Sequence, residues 1–172
     1  MSALVHVRKQ KRQHTELLTC RVGDQWIGFH VQQVREVVTG QGLTEMPLAP
    51  VAVMGLINLR GRVMTELDVR QVVGLPKRKA GASFHVAIIE SSSGEDFGLV
   101  VDDVGEVMLM DRDYYEPTPS SLAPIWRQVS EGVLKQDNRV LVLMNVDRFI
   151  ALTIPSAESS DSDRSLLHYR LN

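Results

Sequence analysis

The stretch MGLINLRGRVMTELDVRQVVGL, residues 54–75, carries the most informative residues of this 172-residue chain. Gly55 and Gly61 relax the backbone on either side of the segment Asn58–Arg60. A large cation can therefore be held at a turn, and the glycines predict that this turn presents Arg60.

Arg60 needs an acidic or carbonyl neighbour, and Glu36 is the best candidate because it lies in the predicted strand Val34–Val38. The residues alone leave two interpretations open. In one, the pair anchors a binding partner; in the other, Arg60 neutralises Glu36 and binds nothing.

Short apolar runs separated by turn residues indicate β-strands along most of the chain. Gly23-Asp24 and residues 91–95 are predicted to turn two β-hairpins. The predicted strands are Leu17–Val22, Trp26–Val31, Val34–Val38, Arg62–Val69, Phe84–Ile89, Phe97–Val101, Val104–Met110 and Arg139–Val146. Many short strands with glycine and proline in the turns favour an all-β fold, either an antiparallel sandwich or small barrels.

Helix signals are few. We expect one or two helical turns within Ala49–Ile57 and a helix within Ser120–Glu131, capped by Ser120 or Ser121. A single helical turn at Val69–Val73 is expected to close the first half of the chain.

The chain contains an internal repeat. At an offset of 70, from Gly28 to Gly98, Val31, Val34, Glu36, Val37 and Pro47 meet identical residues; at an offset of 77, from Gly55 to Gly132, Arg62, Val63 and Val69 do. We therefore predict two similar β modules, at about residues 15–76 and 84–152, joined by the loop Lys77–Lys79. Together they form one domain, residues 15–152.

The two ends differ from this domain in composition. Residues 1–14 are polar and basic, and residues 153–172 are rich in serine and aspartate. Both are expected to be flexible.

Composition excludes several classes of protein. With 19 basic and 21 acidic side chains the net charge is -2, which argues against a nucleic-acid-binding domain. Cys20 is the only cysteine, so no internal disulfide forms and a reducing, cytoplasmic compartment is expected. The longest apolar stretch, residues 51–59, falls short of the ~20 residues of a membrane span, and the N-terminus lacks the apolar region of a secretory signal.

The catalytic inventory is poor. Five histidines are scattered, and no metal-binding or phosphate-binding motif occurs. Asp102 and Asp103 are expected to be solvated at a strand end, and Lys77, Arg78 and Lys79 in their loop. No catalytic residue, metal or cofactor is therefore predicted. Two other classes stay open: a ligand- or nucleic-acid-binding barrel, which needs stacking aromatics on a basic face, and an enzyme whose cluster forms only on folding.

The chain resembles the CheW-like chemotaxis coupling proteins. The matching residues are Gly55–Gly61 (GLINLRG) and Leu67–Arg70 (LDVR), with Val34–Val37 (VREV) before them and Gly98–Asp102 (GLVVD) after them. They occur in the family's order from about Glu16 to Leu152.

The resemblance implies two five-stranded SH3-like β-barrels packed together. It also implies a non-catalytic adaptor that links the cytoplasmic hairpin tip of a chemoreceptor to the regulatory domain of a CheA-type histidine kinase. Such an adaptor would be cytoplasmic, in receptor arrays at the inner membrane, with other CheW-like proteins as further partners in rings, and without nucleic acid or membrane insertion.

The resemblance assigns site residues by matching position. The receptor tip would lie in a groove between the barrels, a helix-in-groove mode. Val34 and Gly55 would form its apolar floor, Arg60 and Glu36 its polar anchor, and Asn58, Leu59 and Gly61 the turn that presents Arg60. Kinase contacts are expected at exposed apolar edges of a barrel, with Met46 and Leu48 as candidates.

One departure from the family stands at Thr65-Glu66, where the family usually has proline and an aliphatic residue. Either this face is solvated, or it meets a different partner. An adaptor of a system that controls pili or another output is therefore an alternative, and we expect a stand-alone coupler rather than part of a fused protein.

Overall fold

The computed structural model describes residues 14–40, 48–136 and 138–154. Within them the chain forms eleven β-strands, three α-helices and two short 3-10 helices. The strands are β1 (His14–Val22), β2 (Gln25–His30), β3 (Val34–Thr39), β4 (Val53–Leu59), β5 (Arg62–Asp68), β6 (His85–Glu90), β7 (Asp96–Val101), β8 (Asp103–Asp111), β9 (Tyr115–Glu116), β10 (Ser130–Gln136) and β11 (Arg139–Met144). The helices are α1 (Val69–Val72), α2 (Pro124–Val129) and α3 (Val146–Thr153), with 3-10 turns at Val31–Gln33 and Arg112–Tyr114.

The strands form two sheets. Sheet A has the order β8-β1-β2-β11-β10-β9, and sheet B has the order β3-β6-β7-β5-β4. The predicted all-β fold of two small SH3-like barrels is confirmed. The barrel of sheet A departs from the expected five strands because it gains a sixth, the two-residue β9.

The two repeats exchange a hairpin. The β1–β2 hairpin pairs with β8 and β11, while the β6–β7 hairpin pairs with β3 and β5. Each sheet therefore takes strands from both halves of the sequence, and neither repeat builds a sheet by itself. The exchange uses two parallel pairings, β2 with β11 and β5 with β7, which join strands far apart in the chain.

The backbone repeats along with the sequence. Gly55 in β4 and Gly132 in β10 both have φ 154°, and each lies at a β-bulge. A β-carbon at Gly132 would lie 2.3 Å from the ring of Tyr115, so only glycine fits there. The same distortion at two aligned positions is what a duplication predicts.

Most of the buried apolar residues in the described part of the chain pack in one core that both sheets share. This shared core includes Phe29 and Ile27 from sheet A, Leu67 and Leu99 from sheet B, and Phe149 from α3, all fully buried. Each barrel also has a smaller core of its own. The sheet-A core is Leu17, Met110, Leu134, Leu141 and Leu143, and the sheet-B core is Ile57, Met64, Val86, Ile88 and Val100.

Two helix predictions are wrong in their positions. Ala49–Ile57 contains no helix, and β4 begins at Val53, because the bulge at Gly55 breaks the alternation that would mark a strand. The helix predicted within Ser120–Glu131 covers only Pro124–Val129, and its N-cap is Ala123 rather than Ser120 or Ser121. Proline fixes the backbone at the first helical position and so sets this start.

The helical turn predicted after β5 is confirmed as α1. Asp68 caps it, since its side chain accepts a hydrogen bond from the Arg70 backbone N–H at 3.0 Å. Asn145, 77 residues further on, caps α3 in the same way by accepting from Arg148 N–H at 3.0 Å. The sequence pattern missed α3, which begins where the strand prediction Arg139–Val146 ended.

Candidate functional site

The β4–β5 hairpin ends in a turn of only two residues, Arg60 and Gly61. Their neighbours Leu59 and Arg62 are the last pair of the hairpin. Arg60 has φ 52° and Gly61 has φ 81°, and two positive φ values are typical of the tight I′ turn that suits twisted strands. The left-handed conformation of Arg60 costs about 1–2 kcal/mol, so something must hold it.

Asn58 helps to hold the turn. Its side-chain Oδ1 accepts a hydrogen bond from the Gly61 backbone N–H at 3.0 Å. Asparagine side chains stabilise turns in this way because they replace a backbone acceptor. The resemblance assigned Asn58, Leu59 and Gly61 to the turn that presents Arg60. Gly61 lies in that turn, whereas Asn58 and Leu59 end β4, and the Asn58 side chain reaches the turn through this hydrogen bond.

Arg60 and Glu36 form a two-pronged ion pair. Arg60 Nη1 lies 2.8 Å from Glu36 Oε1, and Nη2 lies 3.0 Å from Oε2. The Arg60 side chain is 80% exposed, whereas that of Glu36 is 29% exposed. The parallel arrangement orients the guanidinium group more firmly than a single contact would.

The other residues that the resemblance assigns to the receptor site, Val34, Gly55 and Leu59, lie on β3 and β4. Val34 begins β3 and packs against the shared core, so this end of the site borders the region where the barrels meet. Gly55 is buried at the bulge of β4, and Leu59 packs against the sheet-B core. The structure therefore places Val34 and Glu36 on β3, and Gly55, Asn58 and Leu59 on β4. The ion pair of Arg60 with Glu36 joins β3 to the turn that follows β4.

Two further arginines lie beside this turn and were not singled out from the sequence. Arg62 Nη2 is 2.7 Å from Asp96 Oδ2, and Arg35 Nε is 3.4 Å from Asp96 Oδ1. The Asp96 side chain is only 5% exposed, while both arginines reach solvent. The sequence could have pointed to these two arginines only through their positions next to Glu36 and Gly61. Their common partner, Asp96, lies on β7, far from both in the chain.

The two candidate kinase contacts have different outcomes. Leu48 is 78% exposed, has φ 62° and precedes β4 rather than lying on a strand. Met46 lies outside the described residues.

The loop and strand-end charges are less solvated than predicted. Lys77 and Lys79 are exposed, but Arg78 is largely buried and its Nη1 lies 2.8 Å from Asp68 Oδ2. Asp102 Oδ2 accepts from Arg70 Nη1 at 2.7 Å and from the Gly23 backbone N–H at 2.6 Å. These contacts tie the start of α1 to the β1–β2 turn across the two sheets, which local sequence patterns could not reveal.

The pKa of Asp102 reflects these contacts. Burial alone would raise it, but the Gly23 hydrogen bond and the charges of Arg70 and Arg78 hold the pKa of Asp102 below its ordinary value. Asp102 is therefore ionised at neutral pH and serves as an internal tie.

Glu66 points into the protein, so the expectation that its face is solvated or meets a different binding partner is wrong for this residue. Glu66 is fully buried, and Thr65 is half-buried. Burial raises the pKa of Glu66 from 4.5 to about 7. The missed signal was the repeat itself, because residue 143, at the offset of 77, is a buried leucine.

A groove of about 950 Å³ opens on the other barrel and contains the His30–Glu131 pair. The hydrogen bond to Glu131 raises the pKa of His30, against the effect of burial. Among the residues that the structure describes, Arg112 also lines this groove, and no cysteine or serine does. Across residues 14–40, 48–136 and 138–154, no group of three or more His, Cys, Asp or Glu side chains is placed to hold a metal ion. Among those residues, too, no helix has the length and apolar character to cross a membrane.

Known proteins resemble this chain over most of its length. The CheW-like domain family model matches residues 16–153. The chemotaxis protein CheW of Rhizobium meliloti is 35% identical over 133 residues, which cover 77% of this chain and 84% of that protein. The probable chemotaxis protein CheW of Rhizobium etli is 30% identical over 138 residues, 80% of this chain and 88% of its own.

The fold has a close relative among solved structures. The crystal structure of the scaffolding protein TtCheW from Thermoanaerobacter tengcongensis superposes with a TM-score of 0.70 and 28% identity. The match covers 77% of this chain and 90% of that one. With two barrels, the Arg60 turn and a family match from residue 16 to residue 153, this chain belongs to the CheW-like family.

Proposed function

We propose that this protein is a non-catalytic adaptor of chemotaxis signalling that couples chemoreceptors to a CheA-type histidine kinase. Its relatives are named as chemotaxis proteins, and its structural neighbour is titled a scaffolding protein. The observation that carries the proposal is the Arg60–Glu36 pair, found at the positions that the family resemblance assigns to the receptor.

The receptor site comprises Val34, Glu36, Gly55, Asn58, Leu59, Arg60 and Gly61. Glu36 holds Arg60 by both oxygens, and Asn58 holds the turn, so the guanidinium group is oriented before a partner arrives. A preorganised group loses little conformational entropy on binding. Val34 and Gly55 form the apolar floor of the groove in this proposal, as a helix laid in a groove requires.

The kinase contacts lie elsewhere in this proposal. Leu48, with Met46 two residues before it in the sequence, offers an exposed apolar side chain of the kind that forms the centre of protein interfaces. The kinase regulatory domain and other CheW-like proteins are the proposed partners there. The complex would assemble in the cytoplasm, in receptor arrays at the inner membrane.

Binding to purified partners tests the proposal. The wild type is compared with Arg60→Ala and Glu36→Ala for binding a CheA-type kinase and a receptor cytoplasmic fragment from the same organism. We expect each substitution to weaken receptor binding tenfold or more while kinase binding stays unchanged, because a central arginine commonly contributes over 1 kcal/mol. Lys135→Ala, which removes the exposed pair with Glu116 on sheet A, is the matched control and should bind as the wild type does.

The double variant Arg60→Glu with Glu36→Arg restores the ion pair but moves the cation to β3. Recovery of receptor binding in this variant would show that the pair acts through barrel structure rather than through contact with the receptor. Absence of binding to every receptor and kinase of the organism would contradict the adaptor function. Binding only to the receptors of a pilus-controlling system would assign the protein to that output.

A further inference from the structure

Glu66 is a fully buried carboxyl group inside the sheet-B barrel. It lies on the same face of β5 as Met64, which belongs to the sheet-B core. Neither of its oxygens has a hydrogen-bond partner within the part of the chain that the structure describes. An apolar core without a partner strongly disfavours a charge, and burial accordingly raises the pKa of Glu66 to about 7.

The second repeat shows that packing does not require a carboxyl group here. Leu143 occupies the corresponding position and is buried in the sheet-A core. Each of the two residues lies between two glycines on the neighbouring strands. The flanking glycines are Gly55 and Gly98 for Glu66, and Gly132 and Gly28 for Leu143.

The side chain of Glu66 fills the space that a glycine leaves. A β-carbon at Gly98 would lie 3.1 Å from Glu66 Cγ and 2.8 Å from Val86 Cγ1. Glu66 and Val86 therefore meet over Gly98, which places the carboxyl group against the apolar sheet-B core.

Other carboxylates on this face of sheet B have arginine partners. Strand register and side-chain alternation place four other carboxylates on the same face of sheet B as Glu66. They are Glu36 on β3, Glu90 on β6, Asp68 on β5 and Asp96 on β7. The pairs are Glu36 with Arg60, Asp68 with Arg78, Asp96 with Arg35 and Arg62, and Glu90 with Arg35. Within residues 14–40, 48–136 and 138–154, Glu66 has no such cation.

Glu66 also lies directly behind the candidate receptor site. It is paired in register with Gly55, at the bulge of β4, on the strand that leads to the Arg60 turn. A change in how β4 and β5 pair at this point is transmitted along the hairpin, since the two strands share one ladder of hydrogen bonds.

We propose that Glu66 is a proton-operated switch for the receptor site. When the Glu66 carboxyl group is protonated, it is uncharged and stays in the sheet-B core, and β4 and β5 stay paired at Gly55. Without the proton, the buried charge favours opening of β4, β5 and β7 to water, which releases the Arg60 turn. The receptor part rests on the proposed function, whereas the loss of stability requires this chain alone.

Denaturant unfolding between pH 5 and pH 8 tests the switch. The folded protein binds the Glu66 proton more tightly than the unfolded chain does, so stability falls as pH rises from about 4.5 through about 7. We expect the unfolding equilibrium constant to rise on the order of a hundredfold across this window. In Glu66→Gln and Glu66→Leu the part of this rise that Glu66 causes should vanish, and only the part due to other groups such as His30 should remain. Glu95→Gln, at an exposed position of the β6–β7 turn, should keep the full rise.

Comparing variants at one pH separates Glu66 from other titrating groups. The hydrogen bond to Glu131 raises the pKa of His30, and the contribution of His30 to stability is the same in the wild type and in Glu66→Gln. At pH 8, amide hydrogens of β4, β5 and β7 should exchange faster in the wild type than in Glu66→Gln, and at pH 5 the two should agree. Parallel stability curves for the two proteins overturn the proposal.

Receptor binding tests the second part. A receptor hairpin fragment should bind the wild type several-fold more weakly at pH 8 than at pH 6, and Glu66→Gln should bind equally at both. Equal losses in both proteins overturn the link to the site. A fragment that binds neither protein at either pH contradicts the proposed function and removes that link, and the unfolding curves then decide the switch by themselves.

Discussion

Arg60 donates to both carboxylate oxygens of Glu36 and thereby connects the two edge strands of sheet B. Glu36 lies on β3, and Arg60 follows β4, which is at the opposite edge of the sheet. This ion pair, the seam pair, therefore links the two edges of sheet B that face each other in the barrel, and it also orients the Arg60 guanidinium group. The two interpretations that the sequence left open, an anchor and a neutralised pair, are both compatible with this geometry.

The seam pair is expected to contribute little to stability. Arg60 is largely exposed, and exposed ion pairs contribute about 0–1 kcal/mol even in good geometry. Arg60→Ala and Glu36→Ala should each lower the free energy of unfolding by less than about 1 kcal/mol, measured by urea denaturation at two salt concentrations. A loss above about 3 kcal/mol would mean that the pair is chiefly structural, and receptor-binding data on these variants would then need the charge-swap control.

A methyl group at Gly98 is expected to be more harmful than one at Gly28, its counterpart in the repeat. At Gly98 the added β-carbon meets Val86 Cγ1 at 2.8 Å, while at Gly28 it meets Leu141 Cδ2 at 3.2 Å, the end of a more flexible side chain. We expect Gly98→Ala to cost about 1–3 kcal/mol and Gly28→Ala less, measured by thermal unfolding. Partial recovery in Gly98→Ala with Val86→Ala would identify the clash as the cause, and equal costs at the two glycines would contradict it.

Asp102 is expected to make the fold sensitive to acid. Because its pKa is lowered in the folded protein, its contribution is present above the ordinary pKa of 3.8 and is lost as pH falls through the folded value. Asp102→Asn should reduce stability at pH 7 by about 2–4 kcal/mol and should flatten the acid limb of the stability curve, since it removes the carboxylate from Arg70 and leaves Arg78 with Asp68 alone. Glu95→Gln supplies the comparison, and an unchanged acid limb in Asp102→Asn would contradict the assignment.

His30 is expected to stay protonated to a higher pH than an ordinary histidine. The hydrogen bond that His30 donates to Glu131 raises its pKa above 6.5, so the stabilising contribution is fully present below pH 6.5 and is lost as pH rises through the folded pKa. A histidine titration followed by NMR should show this elevation in the wild type and a return toward 6.5 in Glu131→Gln.

Cys20 is expected to be inert while the protein is folded. It is fully buried in the shared core, and burial raises the pKa of its thiol to about 12. Because the thiolate is the reactive form, a thiol reagent at pH 8 should label Cys20 only in denaturant. Rapid labelling of the native protein would contradict the packing of β1 against the shared core.

Local sequence patterns determined the elements that depend on neighbours in the chain. The two-residue turn at Gly23-Asp24, the Asp68-capped helical turn and the Arg60 turn all follow from residues a few positions apart. The matching bulges at Gly55 and Gly132 also follow from the sequence, because glycine recurs at the aligned positions and readily adopts this backbone conformation. The pairing of Arg60 with Glu36, 24 residues apart, was the one longer contact that could be inferred, from the need of a cation for a carboxylate.

Only the tertiary structure decided which hairpin joins which sheet, and with it the environment of Glu66 and Asp102. Gly23 reaches Asp102 across 79 residues, and β2 pairs in parallel with β11. Side-chain alternation along a strand shows which residues share a face, but not whether that face meets water or another strand. The glutamate at position 66 therefore suggested an exposed or partner-facing residue, whereas burial between Gly55 and Gly98 placed it in the barrel interior.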